Sequence, residues 1–94
     1  MNSGVGEIKT LRHLTLWNYQ PKSRNLRELT KLDQLETLEL IQPRIDSLDG
    51  IDELTRLESL EVHYSRTLKD ISAVNRNPHI NRLVFENVPN LRRR

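Results

Sequence analysis

The stretch LETLELIQPRIDSLDGIDELTRLESLEV, residues 35–62, decides the fold. Its apolar side chains return at every third position, from Ile45 through Leu48, Ile51, Leu54 and Leu57 to Leu60. On an α-helix each residue turns about 100°, so a step of three falls back by about 60°, and this run drifts through about 300°. No single helical face buries it. The preceding run Leu26, Leu29, Leu32, Leu35, Leu38 fails in the same way, drifting about 240°. A chain that turns a corner every few residues, bringing each third side chain back to one interior, satisfies the spacing.

Working outward, the pattern apolar-x-x-apolar-x-apolar recurs at Leu11/Leu14/Leu16, Leu35/Leu38/Leu40, Leu57/Leu60/Val62 and Ile80/Leu83/Phe85, in steps of 24, 22 and 23 residues. The last two apolar positions of each unit are two apart, the spacing of a short strand that buries alternate side chains. Strands about 22 residues apart, each followed by the same kind of return, must lie parallel and adjacent. The units therefore begin near residues 11, 35, 57 and 80 of one domain spanning 1–94.

These residues resemble the leucine-rich-repeat family, in its short 22-residue internalin- and Sds22-like class, whose pattern is L-x-x-L-x-L-x-x-N-x-I-x-x-I-x-x-L-x-x-L. Leu35, Leu38, Leu40, Ile45, Leu48, Ile51 and Leu54 match it position by position. The resemblance implies an α/β fold: a right-handed solenoid, a horseshoe fragment of about four repeats, with a parallel concave β-sheet and irregular or 3₁₀ convex turns. The family's turn-closing Asn would fall at Tyr19, Pro43, Ser65 and Val88, none of which is Asn, so the turns must close by other hydrogen bonds or through water. Extra residues around Pro21-Lys22-Ser23 and near Arg66-Thr67 fall just past strands, where a loop can bulge.

Composition bounds the function. The 94 residues carry 15 Lys+Arg against 13 Asp+Glu, a net charge of +2, and 16 leucines. That balance excludes disorder by charge excess. There is no cysteine, which removes disulfides, thiol nucleophiles and Cys-based zinc sites and fits a reducing, cytoplasmic compartment. The amino terminus has no basic region followed by an apolar run, and no stretch approaches the length of a membrane span, so a soluble intracellular protein is expected. The three glycines build no phosphate loop, and no nucleophile elbow is present. An enzyme is not expected, nor a cofactor.

Charge is layered along the chain. Residues 1–31 hold six basic and two acidic side chains, residues 32–63 two and nine, and residues 64–94 seven and two, so the nets are +4, −7 and +5. The acidic middle argues against nucleic acid, despite a sequence pI near 9.3 and the terminal Arg92-Arg93-Arg94, and favours a protein partner with a basic patch. Asp46, Asp49, Asp52 and Glu53 fall in the expected convex turns.

On such strands the residues flanking the buried pair face the other way, about 4.8 Å from their equivalents on neighbouring strands. Three columns follow: His13, Thr37, Ser59, Arg82; Thr15, Glu39, Glu61, Val84; and Trp17, Ile41, His63, Glu86. Trp17 beside Ile41 reads as an exposed apolar patch of the kind that marks an interface, unless Tyr19 and the loop at Pro21 fold over it. Glu39 and Glu61 stand side by side, a like-charge pair that a partner's Lys or Arg, Arg82 or solvent would relieve. His63 with Glu39, Glu61 and Glu86 lacks the i, i+4 spacing of a helical zinc site, so no metal is expected. The function expected is non-catalytic protein recognition through Trp17, Ile41, His63, Glu39, Glu61, Thr15 and Glu86. Alternatives are a self-assembling unit, such as a homodimer paired through uncapped ends, and an inhibitor or immunity-type protein that blocks an enzyme.

Overall fold

The computed structural model describes residues 10–91. Four five-residue strands, β1 (His13–Trp17), β2 (Thr37–Ile41), β3 (Ser59–His63) and β4 (Arg82–Glu86), form one parallel sheet in chain order. The returns carry only short 3₁₀ turns, at Arg27–Leu29, Ile51–Glu53, Ser72–Arg76 and Pro89–Leu91, so the helical half of the expected α/β class has no α-helix among the described residues. None of these helices is long and apolar enough to cross a membrane.

The third-position series is the core. Ile45, Leu48, Ile51, Leu54, Leu57 and Leu60 are each fully buried, together with Leu38, Leu40 and Val62 from the inward side of the strands. The coil holds because its backbone is bonded to the next turn at two corners. The sheet is one. The other lies on the far side, where the Asp46 amide donates to the Arg24 carbonyl at 2.8 Å and the Asp70 amide to the Asp46 carbonyl at 3.1 Å.

Each strand ends in the same way. Asn18, Gln42, Tyr64 and Asn87, one residue past each strand, all adopt φ of 56–60°. This left-handed conformation swings the chain out of the sheet, and Asn tolerates it best among residues with a side chain. The amides of Asn18, Gln42 and Tyr64 still donate to the last carbonyl of the following strand, those of Ile41, His63 and Glu86, at 2.8–2.9 Å. Gly50 is left-handed for a different reason. A Cβ there would lie 2.8–2.9 Å from the backbone of Leu26 and Arg27, so only glycine lets adjacent coils approach.

Buried polar residues close two of the turns. Ser65 is fully buried; its hydroxyl donates to the Pro43 carbonyl at 3.2 Å and accepts from the Leu68 amide at 3.3 Å. Asn77, 3% exposed, donates to the carbonyls of Ile51 and Leu54 at 2.8 and 2.9 Å and accepts from the His79 amide. Each of these carbonyls also accepts a backbone amide, that of Leu54 or Leu57, so the Asn77 side chain supplies their second donor and ties the third coil to the second.

The charge layering also has a structural use. Arg24 of the basic first coil forks onto Asp46 of the acidic second, with bonds of 3.0 and 2.8 Å, and Arg76 of the third lies 3.8 Å from Asp52. Two of the acidic residues expected in the turns are thus paired with the neighbouring layers. The terminal Arg92–Arg94 lie outside the described residues.

Candidate functional site

The strand register sets the outward face. It pairs His13 with Thr37, Ser59 and Arg82; Thr15 with Glu39, Glu61 and Val84; and Trp17 with Ile41, His63 and Glu86, the three columns expected from sequence. Alternation does the rest, since Leu38, Leu40, Leu60 and Val62 take the inward positions and leave these side chains outside.

Trp17 is 69% exposed. The loop that could have covered it does not: Pro21 is buried, and Tyr19 is half-buried against the core with its hydroxyl enclosed and unpartnered. Burial pushes the Tyr19 phenol up from its ordinary value. The local burial of Trp17 weighed from sequence is therefore overturned, because the loop packs inward under the chain instead of over the indole. Ile41, its register partner, is half-buried and extends the apolar surface along the column.

Beside this apolar end lies a connected polar cluster. The Thr15 hydroxyl donates to Glu39 Oε1 at 3.1 Å. His63 Nε2 lies 3.1 Å from Glu61 Oε1 and 3.6 Å from Glu39 Oε2, while His63 Nδ1 bonds Glu86 Oε1 at 2.8 Å. Arg82 reaches diagonally across the sheet to donate to Glu61 Oε2. Glu39 and Glu61 do stand opposite each other, and the relief of their repulsion comes from within the chain, through Arg82 and His63. The hydrogen bonds from Arg82 and His63 hold the Glu61 carboxyl below its usual value. Glu61 and then Glu86 raise His63 against the opposing effect of its burial.

All seven residues named from sequence thus meet on one face, Trp17 and Ile41 at its apolar end and Thr15, Glu39, Glu61, His63 and Glu86 in the cluster. Sequence reasoning underused Arg82, whose place in the first column gave the signal: a cation one column from Glu61 on the adjacent strand is within a long side chain's reach. It also set the histidine cluster aside by testing it against helical spacing, whereas on a parallel sheet the neighbours come from strands 22–24 residues apart. Where the chain leaves the strands, the third column borders an open groove of about 910 Å³ lined by Asn18, Gln42, Arg44, Tyr64, Arg66 and Asn87 among others. No family model, curated protein or solved structure matches this chain.

Proposed function

We propose that this chain is a leucine-rich-repeat-type solenoid of about four coils whose sheet face recognises a partner protein without catalysis. The observation that carries the reading is Trp17, 69% exposed beside Ile41 on a sheet whose inner strands pack Leu38, Leu40, Leu60 and Val62 on the opposite side. A large aromatic held outward by a rigid strand offers contact area at little entropic cost, and Trp is enriched at the energetic centres of interfaces. The acidic rim formed by Glu39, Glu61 and Glu86 keeps a negative excess after Arg82 is counted, and so fits a partner segment that sets a basic side chain next to an apolar one. Tyr64, 55% exposed at the groove, would extend the footprint. The absence of cysteine and the layered charge are in keeping with a cytoplasmic adaptor or an inhibitor of the immunity type.

Selection from a random peptide display library on the immobilised chain tests this. Enriched peptides should pair aromatic or aliphatic residues with Lys or Arg, and should lose at least ten-fold in affinity for Trp17→Ala. Enrichment that ignores this substitution would remove the proposal.

A second reading, self-assembly, draws on the last coil. Leu83 is 44% exposed and Ile80 and Phe85 are only half-buried, unlike their counterparts in the second and third coils. Light scattering over a dilution series separates the two: a concentration-dependent dimer abolished by Leu83→Glu favours assembly.

A further inference from the structure

The geometry points to a divalent transition-metal site of the zinc class on the outward sheet face, with Glu39, Glu61 and His63 as protein ligands.

One ligand atom from each residue lies within 4.8 Å of the other two. His63 Nε2 stands 3.1 Å from Glu61 Oε1 and 3.6 Å from Glu39 Oε2. In a tetrahedral site with metal bonds of about 2.0–2.1 Å, ligand atoms lie about 3.3–3.4 Å apart. The two separations bracket that edge and the third, between the Glu39 and Glu61 carboxylates, is within 4.8 Å, so a cation seats once the two carboxylates turn toward it.

The other atom of every ligand is engaged elsewhere. Thr15 holds Glu39 Oε1, Arg82 holds Glu61 Oε2, and Glu86 accepts the Nδ1–H of His63. Three separate partners therefore aim Glu39 Oε2, Glu61 Oε1 and His63 Nε2 inward. A carboxylate on the far nitrogen of a ligating imidazole is a recurring outer support of a histidine–metal bond, fixing the tautomer and raising ligand basicity. The ligands also come from adjacent strands with the backbone bonded on both sides, a rigid platform.

Charge and donor type choose the ion. The entering ion displaces to solvent the Nε2 proton that bonds Glu61 in the free chain; two carboxylates and the resulting neutral imidazole sum to −2, while Glu86 and Arg82 cancel each other, so a divalent cation leaves the site neutral. An imidazole ligand suits zinc, cobalt or nickel better than magnesium or calcium. Three protein ligands leave a fourth position open on the face that carries Trp17. The site takes its ion in the free chain, so its test does not depend on whether a protein partner binds.

Calorimetric titration of the purified full-length chain with Zn²⁺, and visible absorption with Co²⁺ as a spectroscopic probe, tests the site. One equivalent should bind, and the cobalt spectrum should carry the intense bands of a low-coordinate site. His63→Ala and Glu39→Gln should each abolish this, while His13→Ala and His79→Ala keep it. Glu86→Gln should weaken binding by about 10–100-fold with the stoichiometry unchanged. Circular dichroism checks that each variant retains the wild-type fold, and the isosteric Glu39→Gln stands if His63→Ala does not fold. No saturable binding near one equivalent, or wild-type binding in Glu39→Gln, would overturn the assignment.

Discussion

The two faces of the same sheet follow opposite rules. The inward face repeats: Leu38, Leu40, Leu60 and Val62 are all but fully buried, with the third-position leucines and isoleucines behind them. The outward face does not repeat, running from Trp17 through Ile41 and His63 to Glu86 in one column and from Thr15 through Glu39 and Glu61 to Val84 in the next. A stacked coil needs the same apolar residue in every layer, because each layer is buried only by its neighbours. Nothing in the stacking requires Trp17 or the Glu39–Glu61 pair. The difference separates what holds the chain together from what it can hold.

Breaking the inward face should have the largest effect. Leu40→Ala, at a fully buried position, is expected to lower unfolding free energy by about 2–5 kcal/mol in denaturant titration, whereas Trp17→Ala on the outward face should change it by less than about 0.5 kcal/mol. Equal losses would dissolve the distinction. Gly50→Ala acts on the spacing between coils: its Cβ would meet the Leu26 and Arg27 backbone at a φ of +104°, and a loss of about 2–4 kcal/mol is expected by the same titration.

Asn77→Ala would remove two buried hydrogen bonds to the Ile51 and Leu54 carbonyls and the acceptor of the His79 amide, and should lower the unfolding free energy by about 1–3 kcal/mol. Asn77→Leu, which restores apolar volume without donors, should not rescue it.

The smallest effect concerns the pairing of charge layers. The Arg24 guanidinium, chiefly by its hydrogen bonds, holds the Asp46 carboxyl below its ordinary value. A carboxyl lowered in the folded state contributes fully above its unfolded value, about pH 4, and loses that contribution as pH falls through the folded value. Asp46→Asn should therefore flatten part of the acid limb of a melting-temperature profile below about pH 4 and leave its shape near neutrality intact.

The fold was legible because the third-residue period has no helical solution, and that period alone marks Ile45 to Leu60 as interior. The columns were legible for the same reason: a strand that buries Leu38 and Leu40 must present Glu39. Asn77 was harder to see, although it occupies a slot in the series Ile71, Val74, Asn77, Ile80 where the preceding coil has Leu54. A polar residue on an apolar lattice point is the signal. The direction of long side chains was legible only as reach. Arg82 could have pointed to solvent, and only packed coordinates show it crossing to Glu61. The left-handed conformations at Gln42 and Tyr64 likewise carry no propensity signal, being imposed by the layers that stack on them.

The central claim is that the leucines turn inward and leave Trp17 free. As the chain's one tryptophan, it reports on itself. Acrylamide quenching of its fluorescence in the native protein should proceed nearly as efficiently as for free indole in solution, with an emission maximum close to that of the unfolded chain. A blue-shifted, quencher-resistant emission that becomes accessible only on unfolding would contradict the account.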